Sequence, residues 1–393
     1  MAFLDQSELR ARIEQLASIE RGSASKGEAE AAEIIAADLR SSGAAVTVEH
    51  ERAHGTYWWP IGILCGSAAL AGAWRGRLAS VVTGAFATAA VIDDISGGSQ
   101  WFRRHALPNG TTTNVVAEVG AAGADHTVVV VAHHDAAHSG LVFHPDPPRA
   151  LMRRFPNLAE GASTTPGTMW GSVAGPALVA SGALVGSRWL RRLGVTFSAG
   201  YVGAMADIGL RSVVPGANDN LTGVGVLLSL GRSLQDEPID GVRVILLSAG
   251  SEESFMEGMQ AYGRRHFGEL PTDTTTFICV DTVGSPNLLA LEGEGMVWMN
   301  EYPKGLLATA ATCARELGIH LLPGLRLRNA TDGLIALRAG YPTITFGSVD
   351  EFKLPTNYHW PTDTADRVDY STVADCARLC RRIVERLAPA AVG

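Results

Sequence analysis

Four consecutive valines, Val128–Val131 in TVVVVAHHD (127–135), constrain this chain more than any other feature. A half-buried strand alternates apolar with polar residues. An unbroken apolar run of β-branched residues instead fits a strand covered on both faces, which is the habit of parallel sheets flanked by helices. VRVILLSAG (242–250) and TTFICVDTVG (275–284) have the same character, and YPTITFGS (341–348) supplies a late strand. AAVTVEHE (44–51) alternates, and TNVVAEVG (113–120) precedes the valine strand across a glycine-bearing turn. Helical periodicity is predicted at 7–20, 26–43, 220–235, 256–268, 303–317, 332–339 and 371–388, with Gly43 as a helix-ending residue. Strands alternating with helices predict an α/β domain with a mixed, mainly parallel central sheet and helices on both faces.

Two regions break the rhythm. YWWPIGILCGSAALAGAW, RGR and LASVVTGAFATAAVI fill 57–92. MWGSVAGPALVASGALVGS, RWLRR and LGVTFSAGYVGAMADIGL fill 169–210, and Asp207 is the one acid in the four apolar stretches. Each region reads as a hydrophobic helical hairpin inserted into a single domain of residues 1–393. The first insert is bounded at 57–94; the second, with its Pro-rich lead FHPDPPRALMRRFP, at 141–211. The stretches lie at or below the roughly 17–25 residues of a membrane-spanning helix. Trp58, Trp59 and Trp170 stand at their starts, and Gly62/Gly66, Gly171/Gly175 and Gly182/Gly186 are spaced for close helix approach. The arginine turns (Arg75, Arg77; Arg188, Arg191, Arg192) are expected at the far tips. Insertion in a membrane, a dimer interface and a hydrophobic lid over the site all remain open readings.

Length, charge and cysteines narrow the classes. A chain of 393 residues has ample core for one large domain. The charged fraction, 18%, falls below the usual quarter, as expected of a chain with unusually apolar parts. A net charge of −8 argues against nucleic acid as a partner. Cys65, Cys279, Cys313, Cys376 and Cys380 form no paired framework. The opening MAFLDQSELRARIEQL has early charges and lacks the apolar core of a secretory signal.

In open α/β sheets, ligands bind at the carboxyl ends of the strands. The residues expected there are His133 and Asp135 after the valine strand, and Asp219 in PGANDNLTGVG. Glu252 and Glu253 follow in SEES, then Asp281 in VDTVG and His359 in TNYHWPTDTADRVD. Each alone has an ordinary reading: a solvated loop, a turn entering a helix cap, acids in a first helical turn, a strand end. All five motifs occurring in order at strand ends is the argument for a metal site.

These motifs, AHHDA, GANDN, SEES, VDTVG and YHWPTDT, resemble the dinuclear zinc aminopeptidases of metallopeptidase family 28, the bacterial leucyl aminopeptidase and aminopeptidase Y type. GSASKGEAEAAEIIAADLRSSG and NVVAEVG share the likeness, and only the two hairpins fall outside it. The resemblance implies the three-layer zinc-exopeptidase fold and two zinc ions per chain, with manganese or cobalt as substitutes. It implies His133 and Asp281 on one metal, Glu253 and His359 on the other, and Asp219 bridging both. Glu252 would be the general base, Asp135 would orient His133, and Tyr358 would donate to the tetrahedral intermediate. A cis peptide at Asp219–Asn220 also belongs to the pattern. His134 and His138 have no counterpart and read as hydrogen-bonded loop histidines. Asp332 stands at a Ser-Asp position near the family's site, or is a helix cap; Asp363 reads as a turn or cap residue.

The implied activity is metal-dependent hydrolysis of peptide (amide) bonds, removing N-terminal residues through a metal-shared water with a glutamate base. The substrate is a peptide or small amide, narrowed by the inserts toward short or apolar ones. Partners beyond substrate are a membrane or a second copy, met through the hairpins. A glutaminyl cyclase-like acyltransferase with one zinc, or a non-catalytic binding or scaffold domain, are the competing functions.

Overall fold

The computed structural model describes residues 2–74, 76–120, 123–157 and 161–388; Arg75 lies outside them. In chain order the elements are α1 Gln6–Ala17, α2 Lys26–Ser41, β1 Ala45–Ala53, α3 Trp58–Ala73, α4 Arg77–Ile95 and α5 Trp101–Ala106. Next come β2 Gly110–Val119, β3 His126–His133, α6 Asp146–Arg154, α7 Trp170–Leu184, α8 Arg188–Gly209, α9 Thr222–Asp236 and β4 Val242–Ala249. The chain continues with α10 Glu257–His266, β5 Thr275–Val280, β6 Asn287–Glu294, β7 Asn300–Glu301, α11 Lys304–Leu317 and β8 Leu322–Leu327. It closes with α12 Gly333–Arg338, β9 Thr343–Val349 and α13 Tyr370–Leu387.

The sheet runs β1-β2-β4-β3-β5-β9-β6-β7, with β8 beside β6. Its centre, β4-β3-β5-β9, is parallel. Antiparallel pairs flank it on both sides. The valine strand lies in the middle of this block, and the pleat splits it. Val128 and Val130 pack with α1, α2, α9 and α13 on one face, while Val129 and Val131 join Phe277, Cys279 and the helices of the other. Hence every position of the run is apolar.

Two features of the sheet go beyond the sequence reading. β2 and β3, consecutive in sequence, are not neighbours, because β4 inserts between them. Strands β6, β7 and β8 were not expected; NLLALEGE and LPGLRL carry charges and glycines that blur a period of two.

The apolar regions form two helical hairpins, α3/α4 and α7/α8, packed together as a four-helix cluster. Backbones approach closely where residues are small. A Cβ on Gly84 would lie 2.8 Å from the Ala180 nitrogen and the Pro176 oxygen, and one on Gly194 would lie 2.5 Å from the Val179 nitrogen. Gly175 and Gly182 make comparable contacts with the Ser198 and Arg191 backbones; Gly171 lies under the Tyr201 ring, and Gly62 and Gly66 face Met205 and Val202. Gly186 instead faces open space with φ +75°, at the turn between α7 and α8.

Candidate metal centre and its supports

Because β4, β3 and β5 are adjacent and parallel, their carboxyl ends open onto one rim. Register sets His133 opposite Ala249, so the 250–256 loop leaves beside it; Asp281 directly follows β5. Asp219 arrives from the other side, in the kinked turn ahead of α9, after Gly216 at φ +59°. Its bond to Asn220 is cis. His359, with φ +48°, comes from the loop between β9 and α13.

These residues converge. The two oxygens of Asp219 face different imidazoles: Oδ1 lies 3.4 Å from His133 Nε2, and Oδ2 lies 3.2 Å from His359 Nε2. On the His133 side, Asp281 Oδ2 and Glu252 Oε2 are each 3.9 Å from Nε2. On the His359 side, Glu253 Oε2 is 3.2 Å away. His133, Asp219 and Glu253 also offer donor atoms within 4.8 Å of one another, so the two halves share one hollow. Glu252 and Asp281 keep 12% and 16% of their side chains exposed, which leaves them reachable from solvent.

The donor set fits metal ions. Four carboxylates crowd together, while Asp219 Oδ2, Glu253 Oε1 and His359 Nδ1 are buried without a hydrogen-bond partner. Burying unpaired anions is costly unless a cation answers them. Burial, with Glu253 and Asp281 nearby, pushes the Glu252 carboxyl well up; burial and Asp219 raise Asp281 to about 6. Burial alone would strip the proton from His359, yet Glu253 and Asp219 hold it up at about 10. The carboxylates therefore draw positive charge strongly. Imidazole nitrogen and carboxylate oxygen are zinc's ordinary donors, with manganese and cobalt next.

Supporting bonds were mostly invisible in sequence. Asp135 lies against the His133 ring, its Oδ1 3.3 Å from Nδ1. The same carboxylate also accepts from the backbone N–H groups of Glu252 (3.0 Å) and Glu253 (3.1 Å) and from the Ser23 hydroxyl (2.6 Å). One residue thus sets the ring and both glutamates. Asp363 accepts from the backbone of Asn218 (2.8 Å) and Asp219 (3.1 Å). It fixes the turn that presents the central carboxylate, a larger part than a turn or cap residue, and burial raises it to about 7. Arg21, fully buried, donates to the carbonyls of His134, Pro215 and Gly216, tying the valine strand to that turn. Glu28 accepts from Ser251, Thr113 and Ala24, holding the residue before Glu252; burial, with Asp135 nearby, raises it to about 8.

A second set links this loop to the base of the first hairpin. Arg103 forks onto Asp94 at the end of α4, donates to the Ser254 carbonyl and lies 3.3 Å from Glu257. Gln100 donates to the Phe255 carbonyl.

The remaining candidates divide. His134 is buried, bonded to Ser248 (2.9 Å) and pushed down to about 4 by burial, so it is a neutral loop histidine. His138 bonds the Arg211 carbonyl and packs on Trp58 at the hairpin base. Tyr358 stacks on His359 with centroids 3.8 Å apart, and its hydroxyl accepts from Asn329 (3.0 Å). Asp332 precedes α12, but its side chain makes no capping bond; both oxygens are buried without partners. The cap reading of Asp332 therefore fails.

Comparison with known proteins bears on the family and the fold. Residues 201–384 match the family model of Peptidase family M28. No curated protein matches the chain. Among solved structures, the glutaminyl cyclase of Bacteroides thetaiotaomicron is 13% identical with a TM-score of 0.58, over 98% of this chain and 99% of that one. A leucine aminopeptidase precursor from the same organism gives 13% and 0.58, with 98% of each chain covered. A zinc aminopeptidase from Bacillus subtilis gives 14% and 0.55, covering 97% of this chain and 94% of that one. At these identities the structures speak for the fold, and the family match stands on sequence. The match to the peptidase family M28 model thus covers residues 201–384, and His133 and Asp135 reach their site from the part of the fold that precedes them.

Proposed function

We propose that the chain is a metal-dependent amide hydrolase that removes N-terminal residues from peptides at a site for two zinc ions. The observation that carries this is Asp219, whose two oxygens lie 3.4 and 3.2 Å from two separate imidazoles. His133 and Asp281 would hold one ion, His359 and Glu253 the other, with Asp219 between. When bound, such a pair supplies a Lewis acid for the scissile carbonyl and a water acidified to a pKa of about 7.

The chain's own groups do the rest. Glu252 Oε2 sits beside the His133 half, free of the second half that its neighbour Glu253 serves. It takes one proton from the attacking water as the water oxygen bonds to the carbonyl carbon. It returns that proton to the amide nitrogen as the C–N bond breaks. Asp135 keeps base and ligand in step through their adjacent backbone N–H groups. Tyr358, whose hydroxyl burial holds protonated, is a donor for the oxyanion. Phe143 lies edge-on to His359 at 4.5 Å, beside exposed Leu141 and Val142, which favours short or apolar substrates.

Glu252→Gln tests the reading: hydrolysis of amino-acid anilides should vanish while bound metal remains. Retained hydrolysis would overturn it. A one-zinc acyl transfer is the second reading, favoured by the fold likeness to glutaminyl cyclases. Cyclisation of an N-terminal glutamine peptide by protein holding one ion would select it.

A further inference from the structure

We infer that the four inserted helices α3, α4, α7 and α8 cross a lipid bilayer as two hairpins, with the α/β domain seated on one side.

Ile61, Leu64, Val91, Val179 and Met205 are buried, as in any bundle, but the rest of the packing departs from that of a water-soluble one. Small and polar residues face inward: Gly84, Gly175, Gly194, Ser80, Ser172 and Ser198 are all buried at helix contacts. Large apolar side chains face outward, including Ile63, Leu70, Leu78, Val82, Phe86 and Phe197. Soluble helices bury such residues, whereas membrane helices meet through small ones and show apolar residues to lipid. Only 39% of the apolar window in α4 and 22% of that in α8 is buried. Neither is a core helix.

Most hydroxyls within the stretch are closed off from their surroundings, although the buried Ser198 oxygen has no partner. The hydroxyls of Ser67, Thr88, Ser181 and Thr196 each donate to a carbonyl three or four residues back in the same helix. A hydrocarbon environment demands such internal satisfaction; water does not. α3 and α7 carry no charge at all.

The ends match a bilayer's two interfaces. Both tips lie together, since Arg77 donates to the Leu184 carbonyl. Arg77, Arg188 and Arg192 are exposed there, with Trp74 at 79% and Trp189 at 69% exposure. At the base stand exposed Trp59 and Trp101, beside the acids Asp93 and Asp207. Helices of 16, 19, 15 and 22 residues extend about 24, 28, 22 and 33 Å at 1.5 Å per residue. Trp59, in α3, and Trp74, the residue just past its end, are about 22 Å apart along the axis. Tryptophan belts at two levels and arginines reaching phosphates at the far one fit a hydrocarbon layer thinned from its usual value of about 30 Å toward about 22 Å. A second copy docking on this face would account for exposed apolar residues but not for two tryptophan levels or arginine-bearing tips.

The test uses the full chain in vesicles of phosphatidylcholine and phosphatidylglycerol. The unaltered protein should float with the vesicles and resist high-salt and alkaline washes. The five native cysteines are all buried, so added thiols are the reactive ones. In a double variant, Val185→Cys at the tip and Glu14→Cys on α1, each molecule should take up one impermeant maleimide in sealed vesicles and two after detergent. Molecules carrying two labels or none in sealed vesicles would overturn the crossing. So would a full chain that stays soluble without detergent, as a dimer or otherwise, and does not float.

Discussion

The sheet rim and the inserted bundle solve opposite problems with the same chain. At the rim, charged groups are packed where water is scarce, and backbone N–H groups, hydroxyls and guanidiniums are aimed at them. Asp135 alone accepts from Ser23, Glu252 and Glu253. In the bundle, small and hydroxyl-bearing residues line the helix contacts or bond to their own helix, and many large apolar side chains, Leu70, Leu78 and Val82 among them, are left uncovered while others such as Ile61 and Val179 are buried. Position tolerance should differ accordingly: fractions of an ångström matter at the rim, while at the bundle surface only polarity matters.

The sharpest break of that contrast is Asp219→Ala. Both halves of the site lose their shared carboxylate, so metal and hydrolysis should fall together to background; metal analysis and a steady-state assay check this. Glu252→Gln comes next. Activity should drop by about 10²–10⁴-fold, the worth of a general base, with metal content unchanged. Asp135→Asn should cost about 10–100-fold in activity or metal affinity, as for groups that orient ligands, and Ser23→Ala less. In the bundle, Gly84→Leu would push against the Ala180 and Pro176 backbones at 2.8 Å; overpacking of this kind costs about 1–3 kcal/mol, read as a lower melting temperature in detergent. Leu70→Ala, on the outward face at 75% exposure, should change stability by less than about 0.5 kcal/mol. A large loss there would mean that this face packs against protein.

How much of this could be read beforehand follows from the physics of each region. The valine strand, the motif residues and the hairpins are local signals: a run, a pattern at a strand end, an uncharged stretch between arginines. His133, Asp219, Glu252, Glu253, Asp281 and His359 meet because parallel strands share one rim, which the alternation of elements already implied. Ser23 and Glu28 lie in a stretch that shared the family likeness, but their roles, like that of Arg21, gave no local signal, because their partners lie 112, 223 and 113 residues away. Asp363 looked like any acid in a turn until its bonds to Asn218 and Asp219 were seen. Strands β6 to β8 escaped because their faces mix apolar, charged and glycine residues.

One pH effect sharpens the comparison further. Glu294, deep behind the rim, accepts from Thr331 and Tyr302, and burial raises it to about 8 from an ordinary 4.5. A raised acid binds its proton more tightly folded than unfolded. Its contribution to stability is therefore full below about 4.5 and is lost as pH rises through about 8. Unfolding of metal-free protein should become easier across that window, and Glu294→Gln should flatten the trend.

The central claim is that Asp219 joins two cation positions. Counting metal on the full chain, purified in detergent and dialysed against zinc, tests it most directly. About two zinc ions per chain are expected, since two histidines and three carboxylates complete a paired site. Asp219→Ala should lose both together. One ion per chain, or none, in folded wild-type protein would contradict the account.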